Sequence, residues 1–471
     1  MKYRLLPLVL LLSAASLSAQ TWTLAQCIES AIQHNAQLKN ARLDISMADE
    51  DRAHAKTGYF PQVSATGGAF IGAKDLIRGE MEMPSMGTSG IDLSGMGGMP
   101  GTEMPGGEMP GTQIPGGEMP GMDLSGLDLA GMGSSMPLSM IKKGVLATLT
   151  ALQPLYTGGQ VVTANRLAML QQEVSRLQYE MTEKDVVQNI ETYFWRLVSL
   201  RSNIQTLDAV DAQLAEVHRQ TEQYLSAGVI NRNDLLRVEL KQQEIAGDRL
   251  SLESGIELVR MLLAQLCGAP LASFDIVASP LLSPIAPDSL FVPADVAVSR
   301  REETALTAKG VEASELQVKM ERSKLLPNVA IGASGIYYNV MEKNQGNLVG
   351  LATVNVPISD WWGGSHAIRK AKMAAQQRAN SLQDTQEKLQ IDVLAAWNNL
   401  QEAYKQTQIA ETSTQQADEN LRLSRNQYNA GTLPLTDLLD AVTLYTRSHA
   451  SFSSACADYQ VRRAEYERKT K

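Results

Sequence analysis

The sequence lacks the residue patterns on which most enzymes and metal proteins depend. It has five His and three Cys in 471 residues, and the histidines are scattered along the chain. No H-E-x-x-H motif, C-x-x-C motif or phosphate-binding loop occurs. Ser139-Met-Ile-Lys142 fits the S-x-x-K pattern without its companion motifs, so we interpret it as a chance match. The sequence therefore predicts no enzyme, no cofactor and no conventional metal site.

Basic patches are missing as well, and apolar runs are short. The net charge is −9, which gives no footprint for nucleic-acid binding. The one sustained apolar run is Leu5 to Leu12, which follows Lys2 and Arg4. This arrangement is typical of a secretory signal over residues 1–19, and the run is too short for a transmembrane helix. Leu24-Ala-Gln-Cys27 loosely resembles a lipobox, so a lipid anchor is the alternative.

Cysteine is too scarce for a disulfide framework. The three residues are an odd number, lie far apart in the sequence and fall in helical patterns: Cys27, Cys267 and Cys456. The sequence therefore predicts buried thiols.

Glycine and proline are absent from two very long stretches, Gln160 to Ala227 and Ser365 to Ala430. A helix of that length would extend about 100 Å. Helices of globular cores rarely exceed about 25 residues, so these stretches predict coiled-coil or bundle helices. The helices are expected to begin just beyond Gly158-Gly159 and Gly363-Gly364.

Both stretches end at the same pattern of glycine and aspartate. Gly228 is followed six residues later by Asp234-Leu-Leu, and Gly431 is followed six residues later by Asp437-Leu-Leu. Returning helices are predicted from about these aspartates to Cys267 and to the C-terminus. The chain thus contains a tandem duplication.

Four segments predict amphipathic strands because apolar and polar residues alternate along them, less cleanly in the last segment, Leu348 to Val356. Proline can continue neither a helix nor a central strand, so it marks the expected junctions at Pro61, Pro154, Pro327 and Pro357. Aromatic residues crowd three junctions and suggest half of a membrane-interface girdle, with ordinary core aromatics as the alternative: Tyr59, Phe60, Tyr156, Trp361 and Trp362.

Four strands cannot close a barrel alone, and open edges cannot stand in lipid. Three copies would supply twelve strands.

A helix from Thr23 to about Lys56 is predicted before the first strand pair, and a capping box of Thr23 and Gln26 begins it. A second helix, from about Ala294, precedes the other pair.

A low-complexity insert separates the first two strands, over residues 75–139. It repeats a five-residue Met-Pro-Gly unit, and such composition cannot pack a core. Thioethers suit soft metal ions, so a loop for Cu(I) or Ag(I) is the minor alternative, with candidate ligands Met99, Met104, Met109 and Met119.

Taken in order, these features resemble the TolC family of outer-membrane efflux proteins over nearly the whole mature chain. The matching motifs are Thr23 to Asn35, Phe60-Pro61, Leu326-Pro327, Pro154 to Gly159, Gly228…Asp234-Leu-Leu and Tyr428-Asn-Ala-Gly431…Asp437-Leu-Leu-Asp440. The resemblance implies a mixed, mainly α fold. A long antiparallel coiled-coil tunnel domain would join four strands of a twelve-stranded transmembrane β-barrel shared by a homotrimer.

The resemblance also implies partners and a location. It implies outer-membrane lipid around the barrel, and a periplasmic tip that meets an adaptor protein and an inner-membrane pump. The implied tip and gate residues are Gly228, Asp234, Tyr428, Gly431, Asp437 and Asp440. The simpler interpretation of Asp437 is that it is the N-cap of a helix. Some members carry a basic residue where this chain has Leu433, so a lock on Asp234 needs another partner or is absent.

The predicted organisation is a signal over 1–19, a first repeat over 20–269, a Pro-rich connector over 270–293 and a second repeat over 294–471. The predicted function is a passive, gated conduit that exports small molecules. A type I protein secretion conduit of the same fold is one alternative. The other is a surface adhesion or metal-scavenging protein that acts through the methionine loop.

Overall fold

The computed structural model describes residues 20–71, 143–277, 284–340 and 343–471. The predicted signal, the 75–139 insert and its four candidate methionines lie outside the described residues.

The chain divides into two compact units. The first, here called the turn unit, comprises Met1–Ala41, Tyr179–Arg301 and Lys388–Lys471. The second, the sheet unit, comprises Arg42–Gln178 and Glu302–Glu387.

Helices make up most of the described chain. They are α1 Leu24–His34, α2 Ala36–Thr57, α3 Gln160–Ser226, α4 Arg232–Cys267, α5 Ala294–Arg300, α6 Glu302–Ser323, α7 Asp360–Asn429 and α8 Leu435–Thr470, with a short 3-10 helix at Pro287–Leu290. The two long helices, the two returning helices and the capping box at the start of α1 are confirmed. None of the described helices carries an apolar stretch long enough to cross a membrane.

The helices that precede the strand pairs are each broken once, where the sequence predicted one continuous helix. Asn35 ends α1 with an extended backbone, at φ −59° and ψ 133°. Its side-chain oxygen accepts the backbone N–H of Gln37 at 2.8 Å, and its amide donates to the Leu266 carbonyl at 3.0 Å. Asn competes in this way with helix continuation. Arg301, also extended at φ −68° and ψ 138°, separates α5 from α6.

The start of α7 was also predicted wrongly. The helix begins at Asp360 and includes Gly363 and Gly364. A side chain at Gly364 would lie 2.5 Å from carbon atoms of Leu325, so this glycine permits close packing inside the helix.

Strands β2 Gln62–Ile71, β3 Lys143–Thr157, β5 Asn328–Val340 and β6 Lys343–Asn355 form an antiparallel sheet in that order. The register places Ala65, Leu149, Gly335 and Leu348 side by side on one face. It places Ser64, Thr150 and Ser334 side by side on the other. The predicted alternation is therefore confirmed for β2, β3 and β5, whereas β6 departs from it, because Val349 lies beside Ser334 on the polar face.

Proline 154 lies inside β3, although the sequence predicted that the strand ends there. The strand continues to Thr157, and its register against β5 shifts between Pro154 and Tyr156. A bulge accommodates a residue that has no N–H to donate. Pro61 and Pro327 stand directly before β2 and β5, and Pro357 follows the end of β6.

A small parallel sheet in the turn unit was not predicted. Strand β1, Gln20–Trp22, pairs with β4, Phe274–Ile276, inside the predicted irregular region after α4. The rings of Trp22 and Phe274 pack with centroids 5.5 Å apart. Three-residue strands carry too short a pattern to be recognised by alternation.

In the sheet unit, the turn from β3 into α3 packs tightly against the end of α6. Gly158 has φ +61°, and a Cβ atom there would lie 2.5 Å from the Ser323 carbonyl oxygen and 2.8 Å from the Leu326 Cβ. Both the backbone conformation and the space require glycine at this position.

We expect Gly158→Ala to lower the free energy of unfolding by about 1–3 kcal/mol. Its control is Gly247→Ala in α4, where no atom lies within 4 Å of the added Cβ. That change should raise the free energy of unfolding by about 0.5–1 kcal/mol, because alanine loses less backbone entropy in a helix. Thermal unfolding in detergent measures both. Equal effects of the two substitutions would contradict the assigned packing.

Candidate functional site

The two turns that join α3 to α4 and α7 to α8 lie in the turn unit and have the same backbone geometry. Gly228 and Gly431 adopt φ +73° and +71°. In the first turn the Val229 N–H donates to the Tyr224 carbonyl at 2.9 Å, and the Gly228 N–H donates to the Leu225 carbonyl at 3.0 Å. This pair of hydrogen bonds defines a Schellman motif that closes the helix C-terminus.

The second turn repeats the motif residue for residue. The Thr432 N–H donates to the Gln427 carbonyl at 2.9 Å, and the Gly431 N–H donates to the Tyr428 carbonyl at 2.9 Å. No atom lies within 4 Å of a Cβ built at either glycine. Glycine is therefore required at both turns by its left-handed backbone, and close approach of another helix is not the reason.

The candidate aspartates Asp234 and Asp437 occupy equivalent positions, the third residue of α4 and of α8. The interpretation of Asp437 as the N-cap is wrong, because Pro434 holds that position. A carboxylate in the first turn of a helix interacts favourably with the helix dipole. Each aspartate therefore stabilises the start of a returning helix.

Asp437 and Asp440 are solvent-exposed, whereas Asp234 is half-buried. Within the described residues, none of the three carboxylates forms an ion pair. Leu433 is half-buried in the second turn.

Tyr428 is the buried member of the candidate site. Its hydroxyl lies 3.2 Å from the Thr221 hydroxyl, which also donates to the Val217 carbonyl at 2.7 Å. Its ring meets the Tyr224 ring edge to face, with centroids 6.4 Å apart. Burial raises the pKa of Tyr428 above its ordinary value, the hydrogen bond with Thr221 opposes this shift, and the nearby charge of Asp234 adds to it. Tyr428 therefore stays neutral near neutral pH and joins α7 to α3.

The two tyrosines do not hold equivalent places. The Tyr224 carbonyl accepts the hydrogen bond from the residue after the glycine, Val229. The Tyr428 carbonyl instead accepts the hydrogen bond from the glycine itself, Gly431. The cause is one extra residue between Tyr224 and Gly228, compared with the spacing between Tyr428 and Gly431.

The sequence interpretation missed Thr221 and the apolar cluster that surrounds Tyr428. The signal was present as a 3.5-residue repeat along α3, at Val210, Leu214, Val217, Thr221 and Tyr224. Such a repeat is typical of helices that wind around a partner. Residues from α3, α4, α7 and α8 form the cluster: Leu207, Val210, Leu214, Val217, Val238, Ile245, Leu421, Tyr428, Leu435, Leu438, Ala441 and Val442.

The aromatic residues of the proposed girdle belong to the sheet unit, and all are exposed: Tyr59, Phe60, Tyr156, Trp361 and Trp362. Trp362 has the largest exposed fraction, 83%. The indole N–H of Trp361 donates to the Leu325 carbonyl at 3.0 Å, which fixes that ring beside the start of β5. In the described ranges, no group of three or more His, Cys, Asp or Glu side chains is placed to hold a metal ion.

The chain resembles a protein family over part of its length and solved structures over most of it. Residues 295–466 match the family model described as outer membrane efflux protein. No curated protein sequence matches the chain.

Solved structures share the fold at low sequence identity. A membrane protein from Pseudomonas aeruginosa has TM-score 0.72 and 14% identity, covering 95% of this chain and 90% of that chain. The outer membrane protein VceC from Vibrio cholerae has TM-score 0.70 and 14% identity, covering 95% of each chain. The MtrE outer membrane channel of Neisseria gonorrhoeae has TM-score 0.69 and 14% identity, covering 95% of this chain and 88% of that chain. These similarities confirm the predicted fold class.

The left-handed turn at Gly431 predicts a difference between two substitutions of similar size. Gly431→Val should lower the local stability of the turn by about 1–2 kcal/mol or more, because a β-branched residue resists positive φ. Gly431→Asn should cost less, because Asn adopts this conformation readily. Hydrogen exchange of the turn amides measures the opening free energy of each variant. Indistinguishable exchange rates in the two variants would refute the backbone explanation.

Proposed function

We propose that this chain, which has the fold of the TolC-family outer-membrane channels and matches the outer membrane efflux protein family over residues 295–466, is the outer-membrane conduit of a tripartite efflux system. It exports small molecules, such as drugs, toxic compounds or metal ions, from the periplasm to the exterior. It is a passive, gated channel and catalyses no reaction.

The observation that carries the proposal is the asymmetry of the four-stranded sheet. Val63, Leu149 and Leu348 are exposed on one face, with exposed fractions of 66%, 56% and 81%. Hydroxyl side chains lie on the other face, where the Thr150 and Ser334 oxygens are 3.1 Å apart. An apolar outer face and a polar inner face are the pattern of a transmembrane β-barrel with an aqueous lumen.

The oligomeric state is inferred from the two edges of the sheet. Strands β2 and β6 are its two edges, and neither has an outer partner among the described residues. Backbone groups cannot remain unpaired in the hydrocarbon layer. Three copies joined edge to edge would close a barrel of twelve strands, so we infer a homotrimer.

The exposed aromatic residues fit the same assignment. Tyr and Trp rings are favoured at the membrane–water interface, where one end of the ring is apolar and the other is wetted. We infer that the five junction aromatics form one girdle of the barrel, in contact with outer-membrane lipid, and that Pro61, Pro327 and Pro357 mark three of the barrel–helix junctions. At the fourth junction the strand continues past Pro154 to Thr157.

The turns supply the gate and the contact with partners. We infer that the turn unit is periplasmic and that Gly228, Asp234, Tyr428, Gly431, Asp437 and Asp440 form its tip. A periplasmic adaptor would bind there and connect the channel to an inner-membrane pump, which performs the work. In a trimer, Asp437 and Asp440 would each give a ring of three carboxylates, and such rings favour cations.

The domain organisation and the location follow from the proposal. Residues 1–19 act as the export signal, and residues 20–269 and 294–471 are the two repeats joined by the 270–293 connector. The described elements support this, because a helix pair, two strands, a very long helix and a 36-residue helix occur twice in order.

Adjacent residues of β3 test the assignment of the faces. Leu149→Arg should reduce insertion of the trimer into the outer membrane, since a cation on the lipid face costs about 2–4 kcal/mol at mid-depth. Thr148→Arg, on the opposite face, should insert normally and alter conductance. The readout is the yield of detergent-stable trimer in the outer-membrane fraction. Normal insertion of Leu149→Arg, or a water-soluble monomer of the unsubstituted chain, would refute the barrel.

Asp440 tests the gate. Asp440→Asn should change the conductance and weaken the cation preference, because it removes one charge per protomer from the ring, and it should leave the trimer yield unchanged. Asp248→Asn, an exposed carboxylate further along α4, is the control and should change neither property. Single-channel recording in lipid bilayers measures both variants. If Asp440→Asn behaves as the control does, Asp440 does not line the gate.

A further inference from the structure

Two of the three cysteines meet in the core of the turn unit, although 240 residues separate them in the sequence. Cys27 lies in the second turn of α1, and Cys267 is the last residue of α4. Both side chains are fully buried, with exposed fractions of 0%, and both belong to one apolar cluster, in which the Cys267 side chain lowers the pKa of the Cys27 thiol. The predicted burial of the thiols is confirmed, but no pattern in the sequence predicts that these two cysteines lie together.

The backbone on both sides of the pair is held in place. The Ser30 hydroxyl donates to the Cys267 carbonyl at 2.9 Å. The Asn35 side-chain amide donates at 3.0 Å to the carbonyl of Leu266, the residue that precedes Cys267. Gly268 adopts φ +65°, and a Cβ atom there would lie 2.5 Å from the Cβ of His34. The part of the chain that follows Cys27 is therefore held against the C-terminus of α4, next to Cys267.

The strand pair β1–β4 extends the same attachment beyond the cysteines. Trp22 pairs with Ile276, and the Val277 N–H donates to the Trp22 carbonyl at 3.0 Å. The surroundings of the thiols are apolar, with Ile190, Phe194 and Leu263 in the same cluster. No part of the conduit mechanism requires a thiol here.

We propose that Cys27 and Cys267 form a disulfide bond in the exported chain, which ties the start of the first repeat covalently to its end. The proposal rests on the proposed function in one respect, because export places the chain in a compartment where disulfides form and persist.

The bond forms by thiol–disulfide exchange with a donor disulfide, either a periplasmic oxidoreductase or a small molecule such as oxidised glutathione. Cys27 attacks as its thiolate, since the thiolate is the nucleophile in such an exchange. Its sulfur attacks the donor disulfide, forms a mixed disulfide and releases one donor thiol. The Cys267 thiolate then displaces the second donor thiol. Two protons leave the cysteines, and their two electrons reduce the donor.

This exchange takes place while α1 is docking, because the finished core has no solvent access to either sulfur. The third cysteine then serves as an internal reference. Cys456 is buried in α8, and burial together with Glu411 raises its pKa to about 11. It has no cysteine partner among the described residues and stays reduced.

The test counts free thiols in the full chain taken from the outer-membrane fraction. Cells are quenched with acid, the protein is unfolded, and a maleimide that adds a visible mass labels each free thiol before or after reduction. We expect one adduct per chain before reduction and three after it. Peptide mapping should recover the Cys27 and Cys267 peptides joined, with a mass lower by two hydrogen atoms than their sum.

Single substitutions identify the pair. Cys27→Ser and Cys267→Ser should each show two adducts both before and after reduction. Cys456→Ser should show none before and two after. In the unsubstituted chain, reduction should speed proteolytic cleavage near residues 20–35 several-fold.

Three free thiols in an outer-membrane trimer would overturn the disulfide and leave the conduit standing. An acylglyceryl group on Cys27 would overturn it as well. If the chain is absent from the outer membrane, the conduit fails instead. Refolding the full chain with oxidised glutathione then decides the disulfide by the same adduct count.

Discussion

A row of buried side chains along α7, repeating every 3.5 residues, holds the turn unit together. One column recurs every seven residues and is mostly larger or branched: Val393, Leu400, Thr407, Thr414, Leu421 and Tyr428. The other column, between them, is alanine throughout: Ala396, Ala403, Ala410 and Ala417. A seven-residue repeat keeps one seam of a helix facing its partner only if the helices wind around each other with a left-handed twist. Small residues in that seam let the helix axes approach closely.

The turns depend on this seam. Tyr428 is the last member of the larger column and also a member of the Schellman motif, so the register of the coil and the geometry of the turn share a residue. Tyr428 contacts Thr221 and Tyr224, the last two members of the α3 repeat, so the α3 repeat reaches as far as Tyr428 does. The exposed Asp437 and Asp440 therefore lie at the start of a helix that the same buried cluster holds in place through Leu435 and Leu438. The buried columns hold α7 in register with the helices that it packs against.

The sheet unit obeys a different constraint, the period of two. Strands β2, β3 and β5 keep one apolar face and one more polar face aligned through their register, whereas β6 places Val349 beside Ser334 on the more polar face. The bulge at Pro154 is the single irregularity recorded in these pairings, and it restores Tyr156 to the apolar side beside Val329. The edge strands of the sheet, β2 and β6, have no outer partner among the residues that the structure describes.

Local sequence was sufficient for everything governed by period and by backbone preference. The two long helices, the four strands with their faces, the capping box at Thr23 and the left-handed turns at Gly228 and Gly431 each follow from residues within a few positions of one another. These features include most of the backbone of the candidate site.

Tertiary structure decided what depends on distant partners. Asn35 breaks its helix because Leu266 offers a carbonyl, β1 exists because β4 lies beside it, and Thr221 matters because Tyr428 meets it. The contact between Cys27 and Cys267 is of the same kind. Periodicity records which side of an element is buried, whereas the identity of the group on the other side is set only when the chain folds.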